Sequence, residues 1–261
     1  MRQKMVKNIF FLHATLFVCL CFLVSMSDPA MALTCKATPG KIPVTIGYHG
    51  TKVKVEGEGL ATQDVVVQIS SKLGSAHLKY KGKAAGIFWM KLGNIVFEDV
   101  PKVYLIYSTN DVSKILSKEE CKEFSIGYEA LEKKAKIETN MKDFDRDKWM
   151  VEFFKFMEDE NLYDEEIGQI KVDKKSHTYS VEIDWPFQAP PGEYNVEVFA
   201  VAGGKVVDQA SAKIQVEQVG IVKKLSHMAF EKPALYGIIA LVVAIVAGFG
   251  VGMIFKGGGA H

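Results

Sequence analysis

The sequence lacks an excess of charge of either sign: 32 basic residues stand against 31 acidic ones, for a formal net charge of +1. So even a balance argues against the strong field that would point to nucleic acid or acidic ligands. Catalytic spacing is lacking too. His49, His77, His177, His227 and His261 are scattered, with no HExxH or HxxxH pair and no Cys–His pairing. There is no Gly-x-Ser-x-Gly elbow and no glycine-rich phosphate loop, and Gly57-Glu58-Gly59 reads as a turn. The acidic group Glu158, Asp159, Glu160, Asp164, Glu165 and Glu166 lacks the alternating Asp/Asn pattern and central glycine of a calcium loop, so it reads as a solvated helix end. Trp89, Tyr104, Tyr107 and Trp185 read as core aromatics. On this reading the chain has no catalytic residues, no cofactor and no metal ligands, and it is not an enzyme.

Cysteine is also scarce. Of the 4 present, Cys19 and Cys21 fall in the first segment, which leaves Cys35 and Cys121. In an oxidising compartment such a pair is a disulfide candidate that would tie the start of the domain to its middle; the alternative is two free thiols.

What is present is concentrated at the ends. Residues 1–32 have the anatomy of an export signal: Arg2, Lys4 and Lys7, an apolar run from Ile9 to Met26, and Ala30-Met31-Ala32 as the cleavage site. The competing reading is an uncleaved anchor, against which the Asp28-Pro29 break stands. Thr34 before Cys35 does not suit lipidation. At the other end, residues 234–255 carry no charge and as a helix would span roughly 33 Å, enough for a bilayer core. Tyr236 stands at the entry and Lys256 at the exit. Ala240, Ala244, Gly248 and Gly252 recur every four residues along one stripe, which lets a second backbone approach. Together the two ends predict a single-pass protein with its domain outside, a juxtamembrane link over 221–233 and a cytoplasmic tail over 256–261.

Between the ends the pattern is mainly β. Residues 33–110 hold short strands (VTIGYHGTKVKVEGEG, DVVVQIS, AHLKYKGK, AGIFWMKLG, NIVFEDV, KVYLIYS) rich in β-branched and aromatic residues and separated by turns. Residues 111–169 read as a helical insertion, introduced by the Ser117-Lys-Glu-Glu120 capping box. Trp149, Met150, Phe153, Phe154 and Met157 there form one helix face, which either packs on the sandwich or docks another protein. Residues 170–220 return to strands. Tyr194, Val196, Val198 and Ala200 share one face, as do Val206, Ala210, Ala212, Ile214 and Val216, about a Gly203-Gly204 turn. Tyr194 after Pro190-Pro191-Gly192 stands where sandwiches place a corner tyrosine. The expected fold is an immunoglobulin-like β-sandwich with an α-helical insertion and one C-terminal transmembrane helix.

The order of motifs resembles a family of predicted membrane-anchored proteins first grouped from alphaproteobacteria. The matching segments are Val53 to Gly59, Asp64 to Val67, Ala85 to Tyr104, Pro191 to Phe199, Val216 to Gly220 and Pro233 to Gly237. The resemblance implies a bacterial inner-membrane protein with a periplasmic domain and brings no catalytic residues. It also implies association with sulfite-exporter-like permeases. The expected role is that of an accessory partner of a membrane permease, held by the lipid bilayer and by self-association or transporter contacts of the anchor. The alternative is a periplasmic module for a small ligand or metal.

Overall fold

A computed structural model describes residues 32–256, apart from 60, 61, 63, 85, 86, 142 and 143. The expected signal peptide, apart from Ala32, and the expected tail, apart from Lys256, lie outside the described residues.

The strands are β1 (Lys36–Thr38), β2 (Lys41–Val44), β3 (Thr51–Glu58), β4 (Asp64–Ser71), β5 (Leu73–Ala84), β6 (Phe88–Pro101), β7 (Tyr104–Ser108), β8 (Lys136–Thr139), β9 (Tyr163–Ile167), β10 (Lys171–Asp173), β11 (Thr178–Trp185), β12 (Gly192–Ala202) and β13 (Lys205–Gln218). The helices are α1 (Val112–Ile115), α2 (Lys118–Phe124), α3 (Tyr128–Lys134), α4 (Arg146–Asp159), α5 (Gly220–Glu231) and α6 (Pro233–Lys256). One sheet runs β1-β3-β11-β10, a second β2-β13-β12-β4-β7-β9, and a third β5-β6-β8. The second sheet is mixed, with β2 parallel to β13 at one edge and β9 parallel to β7 at the other.

The first two sheets form the sandwich. Val53, Val55, Tyr179, Val181, Ile183 and Trp185 of one meet Val65, Val67, Ile69, Leu105, Tyr194, Val196, Val198 and Ile214 of the other. At about 25 cal/mol per Å² of apolar surface removed from water, burial of this layer stabilises the fold. Tyr194 is the corner tyrosine: its hydroxyl donates to the Pro190 carbonyl, and its ring meets Trp185 edge-on at 4.9 Å.

The six-stranded sheet has a second covered face. Val66, Tyr104, Ile106, Phe199 and Val201 point away from the sandwich into another core, closed by Ile126, Leu131, Met150, Phe153 and Met157 of the helical region and by Ile95 and Phe97 of β6. This explains why DVVVQIS is apolar without alternation: a strand covered on both sides has no wet face. Gln68, the polar member of that run, is buried and accepts the Tyr104 hydroxyl at 3.1 Å.

Three expectations change. The segments AHLKYKGK, AGIFWMKLG and NIVFEDV form one long hairpin, β5–β6, whose strands shift register between Gly74 and Ser75 and between Tyr80 and Lys81. Residues 111–169 contribute β8 and β9 as well as helices. Val206 does not share a face with Ala210: a register shift between Ala200 and Val201 pairs Ala200 with Asp208 but Val201 with Val206. The extra residue, Val207, turns Val206 into the second core while Ala210 and Ala212 stay in the first. The Gly203-Gly204 turn is as expected, with φ of 58° and 81°.

Candidate functional site

A cleft of about 970 Å³ opens where β7 and β9 pass beside β11. β9, of sequence YDEEI, decides its chemistry. Strand alternation turns Tyr163 into the helical core and sets Asp164 and Glu166 together on the cleft side. Burial holds the Glu166 carboxyl above the usual carboxylate range, helped by the charge of Asp164, a hydrogen bond between the two side chains, and Asp184. Tyr107 beneath them is held in its neutral form by burial and by Asp164, Glu166 and Asp184. Trp185, 3% exposed, lines the same cleft with its indole Nε1–H lacking a partner. The basic groups on the wall are engaged in part: Lys52 Nζ lies 2.8 Å from Glu182 and 3.8 Å from Asp184, and Lys54 pairs with Glu56. This arrangement can hold a proton between two carboxylates, and it leaves the buried indole N–H of Trp185 without a partner. Among the described residues no three His, Cys, Asp or Glu side chains converge as a metal-binding group.

A smaller cavity of about 300 Å³ lies across the sheet, between β7, β9 and helices α1 to α3. Its frame is a hydroxyl network. Tyr104 Oη donates towards Gln68 and the Ser125 carbonyl, at 3.1 and 2.9 Å, and accepts the Gly127 amide at 2.9 Å. Gly127 is at φ 89°, a left-handed conformation that opens α3, and Glu165 Oε1 accepts the next amide, Tyr128 N, at 3.1 Å. Cys121 also lines this cavity; burial and the nearby Glu129 push its thiol up, so it stays protonated and weakly nucleophilic.

The structure disposes of the expected sites as follows. Cys35 and Cys121 are free, not bonded. Cys35 packs against the sandwich core and Cys121 against the helical core, on opposite faces of the six-stranded sheet, and the sheet between them prevents the bond. The helix face Trp149, Met150, Phe153, Phe154 and Met157 is not an open docking face. Met150, Phe153 and Met157 are buried, Phe153 stacks on Phe97 at 4.3 Å, Trp149 meets Tyr80 at 5.1 Å, and Phe154 stacks on Tyr128 at 4.8 Å. Ala240, Ala244, Gly248 and Gly252 lie on α6, where nothing comes within 4 Å of a Cβ built at Gly248 or Gly252.

The pairings in the cleft are hidden in the sequence because Asp164, Glu165 and Glu166 read there as a solvated run. Their signal was period-two: an apolar Tyr163 followed by acids whose alternate members share a face.

A two-layer sandwich with a helical cover, continuous with one apolar helix long enough to cross a membrane at Pro233–Met253, defines a membrane-anchored β-sandwich protein. Residues 32–257 match the model of the family described as "Putative transmembrane protein (Alph_Pro_TM)", and the chain belongs to that family. No curated protein matches the chain.

Proposed function

We propose that the protein is a non-catalytic, membrane-anchored interaction protein whose exported domain works beside an integral membrane transporter in the bacterial inner membrane. The observation that carries this reading is α6: none of its 21-residue apolar span is buried, and its small residues leave a groove along Ile245, Gly248, Phe249, Gly252 and Met253. A helix with that groove packs well against another helix, because close backbone approach replaces the missing hydrophobic drive inside lipid. The tip of the β5–β6 hairpin supports it. Ile87 and Phe88 are 72% and 70% exposed, and Met90 and Leu92 are exposed as well, an apolar patch that costs free energy in water and suits a protein surface. The sequence resemblance points to a permease of the sulfite-exporter kind.

The test is purification of the full chain in mild detergent after in-cell crosslinking, from cells expressing either the native chain or the Gly248→Leu/Gly252→Leu variant. A co-purifying integral membrane protein that disappears with the variant supports the reading. A chain that purifies alone in both cases overturns it.

The unpartnered Trp185 Nε1–H and the Asp164–Glu166 pair favour a second reading, a small-ligand module using the cleft. A thermal-shift screen of the full chain with small anions, amines and divalent metals distinguishes it. A shift that Asp164→Asn abolishes supports it, and silence across the screen rejects it.

A further inference from the structure

The segment between sandwich and anchor is a second amphipathic element. The sequence GIVKKLSHMAFE forms α5 over Gly220–Glu231, yet none of its residues is buried and Val219 gives no side-chain cap. A 12-residue helix with those handicaps is marginal in water, so its stability must come from its surroundings. Ile221, Val222, Leu225, Met228 and Ala229 fall on one helical arc, with Ile221 61% and Leu225 44% exposed. Lys223, Lys224, His227 and Glu231 fall on the opposite side.

Its position fixes what surrounds it. Pro233 begins α6, and a residue before proline is driven out of the α region, which Lys232 obeys at φ −133° and ψ 58°. The two helices are therefore separated by a single break at Lys232. The 21-residue span of α6 measures about 32 Å, enough to fill the hydrocarbon core, and with α6 across a bilayer the break falls at the headgroup level with α5 beside it. In the crook of the two helices Lys223, Lys224, His227, Met228, Lys232 and Leu235 line a shallow cleft. Glu231, the one acidic residue of α5, is held by His227 at 3.0 Å, and among the described residues no carboxylate pairs with the three lysines.

We propose that α5 lies in the interface of the membrane that α6 crosses, apolar arc inward, and that Lys223, Lys224 and Lys232 bind the phosphates of anionic phospholipids in that crook. The argument holds for either orientation of the chain. Each lysine beside an anionic surface contributes about a fivefold preference.

The test uses the full chain in nanodiscs of phosphatidylcholine, with and without phosphatidylglycerol. Native mass spectrometry reads the lipid that stays bound, and hydrogen exchange reads the amides of 221–231. Expected are selective retention of phosphatidylglycerol and slower exchange in its presence. In Lys223→Gln/Lys224→Gln/Lys232→Gln the preference should fall by at least tenfold, with the sandwich amides unchanged. Leu225→Glu should speed exchange of α5 in both lipids by lifting its apolar arc. Equal retention of the two lipids by the native chain, or a preference undiminished in the triple variant, overturns the lipid site. Rapid exchange of 221–231 in both native nanodiscs overturns the interfacial helix.

Discussion

Glu120 Oε2 accepts the backbone amide of Val206 at 2.8 Å, across 86 positions of sequence. The Ser117-x-x-Glu120 box is thus only half local: Ser117 Oγ accepts the Glu120 amide at 3.3 Å, while the Ser117 amide donates to the Gly204 carbonyl at 2.9 Å. The carboxylate that would have capped its own helix instead pins α2 to the β12–β13 turn, beside the bulge at Val207.

Glu120→Ala should therefore cost about 1–3 kcal/mol, because it strands the part-buried Val206 amide and frees one end of the helical layer. Glu120→Gln keeps an acceptor and should lose less than half as much. Chemical denaturation of the full chain in detergent, followed by tryptophan fluorescence, checks the order.

Tyr104→Phe removes one hydroxyl and leaves the Gly127 amide without its partner. A loss of about 2 kcal/mol is expected, with faster hydrogen exchange confined to the α2–α3 junction. Unchanged exchange at Gly127 would show that the hydroxyl is dispensable.

Gly57 lets β3 pass under the segment that carries Thr34. A Cβ there would collide with the Thr34 carbonyl and come within 2.6 Å of the Tyr179 hydroxyl, which itself donates to Thr34 O at 2.7 Å. Gly57→Ala should cost about 1–3 kcal/mol and release residues 33–38 to limited proteolysis.

The raised carboxyl of Glu166 sets a pH dependence. Its folded pKa lies above the unfolded value of about 4.3, so the folded state holds the proton more tightly. The stability this gives is full below the unfolded value and is lost as pH rises through the folded one. Glu166→Gln should raise the unfolding midpoint at neutral pH and flatten its slope just above the ordinary carboxylate range. An unchanged slope would remove Glu166 from the account.

Both thiols should titrate as free. Burial raises Cys35 despite its hydrogen bond with Tyr179, and burial raises Cys121. Maleimide labelling should be slow on the folded chain at neutral pH and complete after unfolding, with no shift in thermal midpoint on adding reductant.

The sequence made some of this plain and hid the rest for physical reasons. The anchor, the Gly203-Gly204 turn and the Tyr194 corner were readable because each depends on neighbours within a few positions. The three-layer arrangement was not, although Val65-Val66-Val67 held the clue: a run without alternation says that both faces are dry but not what dries them. The apolar face of α4 is legible in its spacing, whereas its occupation depends on the tertiary partners Phe97, Tyr80 and Tyr128. β9 escaped because an edge strand with one buried side chain has too little apolar content to announce itself. The cysteine pair misled because compartment and count say nothing about a sheet standing between two thiols.

The parallel pairing of β2 with β13 carries a mechanical consequence. Lys41 to Val44 run alongside Gln215 to Gln218, and the Val219 amide continues the ladder to the Val44 carbonyl at 3.1 Å. Any pull transmitted from the bilayer along α5 enters the domain at the end of β13, the strand that lies between β2 and β12. The bonds to β2 and to β12 then share that load. A load from the anchor is thereby spread over one parallel and one antiparallel ladder before it reaches the rest of the domain.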